Sequence, residues 1–146
     1  MKITIIQYGS EEYNKMITLR MEVLRKPLGL SFSEEDLKKE EQDILVGAFE
    51  GDKIIGCCVL TRKDNHTLQL RQMAVDPARQ GQKIGKVLLD FAEQLAKDKG
   101  YTTLMMHARK VATGFYLKCG YVISGAEFTE VGIPHYKMEK KLKQSM

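Results

Sequence analysis

Apolar residues along this chain recur with two different spacings, one typical of helices and one typical of strands. Residues 2–8 are rich in β-branched and apolar side chains and predict a strand. Ser10 suits the N-cap of a following helix, in which the apolar residues from Tyr13 to Val23 recur every three or four positions. The Pro27–Gly29 segment is expected to end that helix, and Ser33 is the N-cap residue of a second, short helix.

Three apolar runs come next, at residues 43–50, 53–63 and 66–75. The pairs Gly51-Asp52 and Asp64-Asn65 separate them, and both pairs are typical turn residues. Short polar turns between apolar runs indicate strands joined by hairpins. The sequence therefore predicts a three-stranded antiparallel meander.

The clearest helical pattern begins at Ile84, where apolar residues follow the i, i+3, i+4, i+7 spacing of a helix that is buried on one face. Gly100 suits its C-cap. The remaining pattern predicts a strand at 101–108, a short helix at 109–120 that closes at its last glycine, and a final pair of strands within 121–142.

This order of elements fits an α/β (α+β) fold: a mixed, mostly antiparallel central sheet of about six to seven strands, flanked by helices on both faces. A chain of 146 residues suits one hydrophobic core, so we expect a single domain over residues 1–146. Its 43% hydrophobic and 29% charged residues are ordinary for a globular protein.

Charge and cysteine content exclude several classes of function. The net charge of +4 comes from mixed signs, whereas nucleic-acid binding favours a patch of one sign. No apolar run is long enough for a membrane span and no signal-like core develops, so we expect a cytoplasmic protein without a membrane partner. Cys57, Cys58 and Cys119 fit neither a disulfide framework nor a zinc site, so we expect reduced thiols and no metal.

The segment between the third meander strand and the helix at Ile84 is the candidate for chemistry. It contains Gly81 and the basic residues Arg79 and Lys83, and Gly85 and Lys86 follow in the first turn of the helix. The first turn of a helix presents unpaired backbone N–H groups and a partial positive charge, which bind phosphate when the preceding chain is slim. On these residues alone, a solvated basic surface over an ordinary turn is an equal alternative.

Two common phosphate-binding motifs do not match this segment. Gly81 and Gly85 enclose three residues where a P-loop needs four, and Val87 follows the lysine where that motif needs Ser or Thr. The dinucleotide fingerprint GxGxxG is also missing, and the preceding strands are joined by hairpins rather than by crossover helices.

Two stretches of this chain resemble the signatures of the GNAT superfamily of N-acetyltransferases. The first is MAVDPARQGQKIGKVLL, at residues 73–89: an apolar strand end, a loop of the form Arg/Gln-x-x-Gly-x-Gly/Ala and a helix. The second is HARKVATGFYLKCGYV, at residues 107–122, a short helix with a Phe-Tyr pair followed by Gly-aromatic. The resemblance runs from about Ile54 to Met138, and the two signatures together are far more specific than either alone.

The resemblance implies that acetyl-CoA is the cosubstrate and that its acetyl group passes to a primary amine of a small molecule or peptide, by direct attack in a ternary complex. It implies that the backbone of Met73–Val75 pairs with the pantetheine arm, and that Tyr116 protonates the leaving thiolate. Taken alone, a tyrosine on a short helix is more often a core residue. The implied cofactor-binding residues are Met73, Ala74, Val75, Gln80, Gly81, Gln82, Lys83, Ile84, Gly85, Lys86 and Arg109.

Two residues depart from the family pattern. Lys83 stands where the family has the first glycine of its Gly-x-Gly pair. If Lys83 lies in the first helical turn, its φ is negative and no glycine is needed. Arg109 replaces an asparagine and could bind a phosphate instead.

The strand 67–75 contains no acid, so the identity of the general base is left open. The candidates are Glu22, Glu127, Glu130, His107 and water. Cys119 has no recognisable partner base, so an acyl-enzyme is not expected. Arg20, Arg25 and His135 either recognise an acidic acceptor or are ordinary surface charges.

The sequence is compatible with three functions. The leading one is an acetyl-CoA-dependent N-acetyltransferase, and the alternative is a catalytically weak CoA-binding sensor or regulatory module. A small nucleic-acid-binding domain is disfavoured by the mixed charge. The sequence names neither the amine acceptor nor the oligomeric state, and a homodimer stays open.

Overall fold

The computed structural model describes residues 1–143, which form two compact units. The strands are β1 (Lys2–Ile6), β2 (Ile44–Glu50), β3 (Lys53–Arg62), β4 (Thr67–Val75), β5 (Thr103–Arg109), β6 (Val122–Ile123), β7 (Phe128–Glu130) and β8 (Ile133–Lys141). The α-helices are α1 (Glu11–Arg20), α2 (Glu34–Lys38), α3 (Ile84–Asp98) and α4 (Thr113–Lys118). Within residues 1–143, no helix is both long enough and apolar enough to cross a bilayer.

The strands belong to one sheet in the order β1-β2-β3-β4-β5-β8-β6, with β7 paired to β8. Its described ladders are antiparallel except that between β4 and β5, which is parallel. This confirms the predicted α/β fold class with a mostly antiparallel sheet.

The first unit comprises residues 1–61 and 71–92. β1 pairs antiparallel with β2, from Lys2↔Phe49 to Ile6↔Leu45, and β2 pairs antiparallel with β3. Helix α1 begins as predicted, since the Ser10 hydroxyl accepts a hydrogen bond from the Tyr13 N–H at 3.2 Å. One π-helical turn and one 3-10 turn continue α1 up to Gly29, which has a φ of +69°.

Helix α3 packs on β3 at a position that leaves no room for a side chain. A Cβ atom at Gly56 would lie 2.8 Å from Ile84 Cγ2 and 3.0 Å from Leu88 Cδ1. The neighbouring residues Cys57 and Val59 belong to the core cluster that contains the buried face of α1. Because side chains alternate along a strand, β3 therefore supports α3 on one face and α1 on the other.

A buried ion pair links α1 to the segment after α2. Arg20 is fully buried, and its two terminal nitrogens donate to Glu40 Oε1 at 2.8 Å and Oε2 at 2.6 Å. The Tyr13 hydroxyl donates to the same carboxylate at 2.8 Å. Burial, together with this carboxylate, raises the pKa of Tyr13. Arg20 therefore neither recognises an acceptor nor lies at the surface, and both readings of it from the sequence are wrong.

The second unit comprises residues 62–70 and 93–146, of which the last three lie outside the described residues. β5 pairs in parallel with β4 from Thr67↔Thr103 to Leu70↔Met106. The whole length of β5 also pairs antiparallel with β8. The region 121–142 holds three strands where a pair was predicted. The extra break is the two-residue turn Val131-Gly132, whose positive φ values join β7 to β8 in a tight hairpin.

We expect Glu40→Ala to lower the free energy of unfolding by about 3–5 kcal/mol, because it leaves the Arg20 charge buried without a partner. The double variant Arg20→Met/Glu40→Leu should recover most of this loss, since it removes both charges. Urea denaturation measures both values. Glu41→Ala, at an exposed neighbouring position, is the control, and a loss below 1 kcal/mol for Glu40→Ala would contradict the role of the pair.

Candidate active site

The loop between β4 and α3 begins with a turn that Asp76 builds from its own atoms. Asp76 Oδ1 accepts a hydrogen bond from the Ala78 N–H at 3.0 Å, and its carbonyl accepts one from the Arg79 N–H at 2.8 Å. The Asp76 N–H in turn donates to the Ile55 carbonyl of β3 at 2.9 Å. The Asp-Pro pair thus ends β4 through an Asx-type turn, followed by one 3-10 turn at Pro77–Arg79.

Two residues of this loop have left-handed backbone conformations. Gly81 has a φ of +89° and Lys83 has a φ of +62°. Lys83 does not meet the condition for a negative φ, because α3 begins one residue later, at Ile84. Lys83 only accepts the first bond of the helix, from the Val87 N–H at 3.1 Å. A left-handed lysine is uncommon and costs about 1–2 kcal/mol, so this position has the backbone of a glycine without being one.

The three basic residues of the loop differ in their partners. Arg79 forms a two-pronged ion pair with Glu50, at 2.5 and 2.6 Å, which lowers the pKa of the Glu50 carboxyl. Lys86 pairs with Asp90 at 2.7 Å. The side chain of Lys83 is exposed, with no hydrogen bond or ion pair to any residue between 1 and 143. Lys83 is therefore the loop cation whose charge the described residues leave uncompensated.

The other implied cofactor-binding residues of the loop and of β4 range from exposed to buried. Gln80 and Gln82 are exposed, and Ile84 is buried against Gly56. Ala74 is buried, whereas Met73 and Val75 on either side of it are half-buried. Just before them, Gln72 has a φ of +54°, and its carbonyl accepts a bond from the Cys57 thiol at 3.9 Å. The end of β4 is therefore not a regular strand, a feature that the sequence pattern did not reveal.

In the second unit, Tyr116 lies on α4 and is buried, with 7% of its surface exposed. Its ring packs edge-on against Phe115 and Tyr121, with centroid distances of 5.0 and 5.9 Å. Arg109 lies at the end of β5, opposite His135 of β8. The structure thus places Met73–Val75 and the loop in the first unit, and Arg109 and Tyr116 in the second.

A polar cluster that the sequence did not reveal holds the end of α4. Lys140 of β8 donates to the Cys119 carbonyl, at the C-cap of α4, and to Glu93 of α3, both at 3.0 Å. The Tyr121 hydroxyl donates to the other oxygen of Glu93 at 2.9 Å. Burial and the Glu93 charge raise the pKa of Tyr121. Because Glu93 and Lys140 are 47 positions apart, no local pattern pairs them.

The candidate general bases have different environments. Glu22 lines a cavity of about 540 Å³ and lies 3.6 Å from Lys26. Glu127 pairs with Lys110 at 2.9 Å, which raises the pKa of that lysine. His107 Nδ1 instead lies 3.1 Å from Glu130 Oε1, so these two candidates form one unit.

The structure places His135 and two of the three cysteines away from the surface. His135 is buried, with Nδ1 2.9 Å from the Ile133 carbonyl, so it is not an ordinary surface charge. None of Cys57, Cys58 and Cys119 is in a disulfide. Burial raises the pKa of Cys57 to about 12 and raises that of Cys58 further, which makes both poor nucleophiles at neutral pH.

Comparisons with known proteins agree on one family. The profile of the family described as "Acetyltransferase (GNAT) domain" matches residues 13–142. The uncharacterized N-acetyltransferase YjcF of Bacillus subtilis is 30% identical over 139 residues, which cover 93% of this chain and 97% of YjcF. The uncharacterized protein YyaT of the same organism is 36% identical over 81 residues, and there the match covers 56% of this chain and 55% of YyaT.

A solved structure is also similar along nearly the whole chain. The GNAT family acetyltransferase from Elizabethkingia anophelis, with acetyl-CoA bound, superposes with a TM-score of 0.74 at 25% identity, covering 97% of both chains. That protein binds acetyl-CoA on the same fold.

The left-handed Lys83 leads to a test with two matched variants. Both Lys83→Ala and Lys83→Gly remove the charge, but only glycine relieves the backbone. We therefore expect Lys83→Gly to be more stable than Lys83→Ala by about 1 kcal/mol in urea denaturation. Calorimetry should show acetyl-CoA binding weakened by roughly three- to tenfold in Lys83→Ala, since one exposed charge is worth about 1 kcal/mol, with Lys83→Gly binding at least as well. Equal stability of the two variants would contradict the left-handed conformation.

Proposed function

Because this chain belongs to the GNAT acetyltransferase family, whose general chemistry is acetyl transfer, we propose that it transfers the acetyl group of acetyl-CoA to a primary amine of a small molecule or peptide. The amine attacks the thioester directly in a ternary complex, so no covalent enzyme intermediate forms. The observation that carries this proposal is the left-handed backbone at Gly81 and Lys83, immediately before the N-terminus of α3.

The loop fits the pyrophosphate of acetyl-CoA in both shape and charge. A 15-residue helix begins at Ile84, and the N–H groups of its first two residues, Ile84 and Gly85, have no partner within the helix. The left-handed residues before it turn the chain so that those groups can point at an anion, and the helix dipole adds a partial positive charge. Lys83 adds a full charge with no partner among residues 1–143, whereas Arg79 already compensates Glu50.

The chain's own residues would divide the chemistry as follows. The backbone of Met73–Val75 would pair with the pantetheine arm, and an N–H group there would stabilise the negative charge on the carbonyl oxygen as the amine attacks. Tyr116 would donate its hydroxyl proton to the departing thiolate. Arg109 would contact a phosphate, as its guanidinium suits. The cluster of Glu93, Tyr121 and Lys140 supports the Tyr116 role because it fixes the end of α4.

Three further expectations from the sequence remain predictions. They are a single domain over residues 1–146, action in the cytoplasm and catalysis without a metal.

Gly85→Glu tests the cofactor site. We expect the folded variant to lose acetyl-CoA binding in calorimetry, because Gly85 is the second residue of α3 and a carboxylate there repels the pyrophosphate from the helix amides. Gly114→Glu, on the exposed surface of α4, is the matched control. Release of free thiol with a panel of amines then tests turnover, and binding without release would favour the CoA-binding sensor. Unchanged affinity in folded Gly85→Glu would contradict the phosphate loop.

Tyr116→Phe tests the proton donor. A phenol, with a pKa of about 10, is protonated at neutral pH and can protonate a thiolate whose conjugate acid has a pKa near 8.5. We expect kcat to fall by roughly 10²-fold or more while acetyl-CoA affinity changes little, since the ring still packs against Phe115 and Tyr121. Thiol release under conditions where chemistry limits turnover measures kcat. A near-normal kcat would show that Tyr116 is a core residue only.

A further inference from the structure

We infer that His107 is the general base of the proposed acetyl transfer and that Glu130 is the residue that positions it. This assignment rests on the proposed function. His107 lies on β5 and Glu130 at the end of β7, and His107 Nδ1 is 3.1 Å from Glu130 Oε1. The two side chains are partly exposed, at 31% and 45%, so a substrate can reach them.

The contact with Glu130 decides which ring nitrogen of His107 can accept a proton. A carboxylate only accepts hydrogen bonds, so the Nδ1 atom of a neutral His107 carries the hydrogen and donates it. The lone pair then lies on Nε2, which points away from the carboxylate. A carboxylate that orients an imidazole and stabilises the imidazolium is the usual support for a histidine base.

Phe128 and His135 hold the pair in place. The Phe128 ring meets His107 edge-on at 5.1 Å and stacks on His135 at 5.9 Å. His135 Nδ1–H donates to the Ile133 carbonyl at 2.9 Å, which leaves its Nε2 3.7 Å from the second oxygen of Glu130. His135 is buried, so its own ring does not meet substrate. Glu130 therefore lies between two histidines, of which only His107 is accessible.

The backbone next to Glu130 is strained. Val131 has a φ of +47°, which is a genuine outlier for a β-branched residue. Such strain persists only where the surroundings fix the backbone, and it concentrates at functional sites. Here it fixes the two-residue turn that places Glu130 opposite Ile133.

The strand register puts His107 on the same face as a predicted cofactor residue. Side chains alternate along β5, so His107 and Arg109 share a face, about 7 Å apart along the strand. Lys140 projects from the other face of β8 and contacts the C-cap of α4. The proposed base therefore lies on the face of β5 and β8 opposite to α4, which carries the proposed acid Tyr116.

The other carboxylate candidates are less suitable. Glu127 is occupied by Lys110 at 2.9 Å. Glu22 lies 3.6 Å from Lys26 and, like Glu127, has no imidazole beside it. An imidazole is also intrinsically a stronger base than a carboxylate.

The proton balance is as follows. His107 Nε2 takes a proton from the amine nitrogen as the carbon–nitrogen bond forms, and the carbon–sulfur bond then breaks. An ammonium acceptor loses two protons in all. The first is lost to solvent before the attack, and the second passes through His107 to solvent, while the Tyr116 hydroxyl gives its proton to the sulfur of coenzyme A and is reprotonated from solvent.

The test measures the pH profile of kcat/KM for release of free thiol from acetyl-CoA, with the best acceptor among spermidine, tyramine, a lysine peptide and an aminoglycoside. The wild-type profile should fall on the acid side, because a protonated imidazole cannot accept a proton. His107→Gln should lower kcat/KM by roughly 10²-fold or more and abolish that acid limb. Glu130→Gln should lower it by about tenfold, because a neutral amide holds the Nδ1 hydrogen of His107 less firmly than a carboxylate does.

Several charged or titratable groups face His107 from β5, β7 and β8. Lys137 faces it across the β5–β8 ladder, Arg109 and Glu139 flank it on the same face, and Glu130 and His135 lie beside it. The matched controls are His66→Gln, in the β3–β4 turn, and Glu127→Gln, and both should stay within twofold of wild type.

Nitrogen NMR of the histidine rings provides a readout that does not depend on the acceptor. In the wild type near pH 8, His107 should carry its hydrogen on Nδ1, and Glu130→Gln should weaken that preference. A hydrogen on Nε2 would overturn the proposal. So would an active wild type in which His107→Gln keeps its rate and acid limb, or in which Glu127→Gln loses them instead. A wild type that binds acetyl-CoA but acetylates no amine would overturn the proposed function and this assignment together.

Discussion

The position of the proposed phosphate loop depends on the close approach of α3 to β3 at Gly56. Ile84 and Leu88 occupy the space that a Cβ atom at residue 56 would need. One residue earlier on the same strand, the Ile55 carbonyl accepts the Asp76 N–H. Both ends of the loop are therefore tied to neighbouring residues of β3, and the chain has only the residues between Asp76 and Ile84 in which to leave the sheet and enter the helix. Such a short path explains why the loop needs left-handed residues, even where the residue is a lysine.

The charges of the loop show why a count of basic residues overstates its attraction for anions. Arg79 compensates Glu50 and Lys86 compensates Asp90, so two of the three cations are already paired on the protein. Backbone N–H groups, the helix dipole and Lys83 are left to attract a phosphate. A site of this kind selects an anion by the shape of the backbone more than by net charge, which fits the modest charge of +4 over the chain.

The features that could be predicted from the sequence are local ones. Ser10, the spacing after Ile84 and the hairpin turns act over a few residues, and all of these predicted elements are present. The features that could not be predicted join distant residues or depend on backbone angles. Arg20 meets Glu40 20 positions away, and no pattern of charge distinguishes it from a surface arginine. The left-handed φ of Lys83 could not be predicted for a related reason. From sequence, the start of a helix is uncertain by a residue or two, and the conformation of Lys83 depends on which side of that start it lies.

In the candidate site, the register between β5 and β8 decides which side chains share a face of the sheet. In β5 and β8 the pairs His107↔Lys137 and Arg109↔His135 lie on one face, and the pairs Leu104↔Lys140 and Met106↔Met138 lie on the other. The first face contains the histidines that meet Glu130, and the second contains Lys140, which fixes the end of α4. A slip of one residue would exchange the two sets. The same ladder therefore decides where a proton could be accepted and where the helix with Tyr116 is held, and the buried face with Met106 and Met138 keeps that ladder in register.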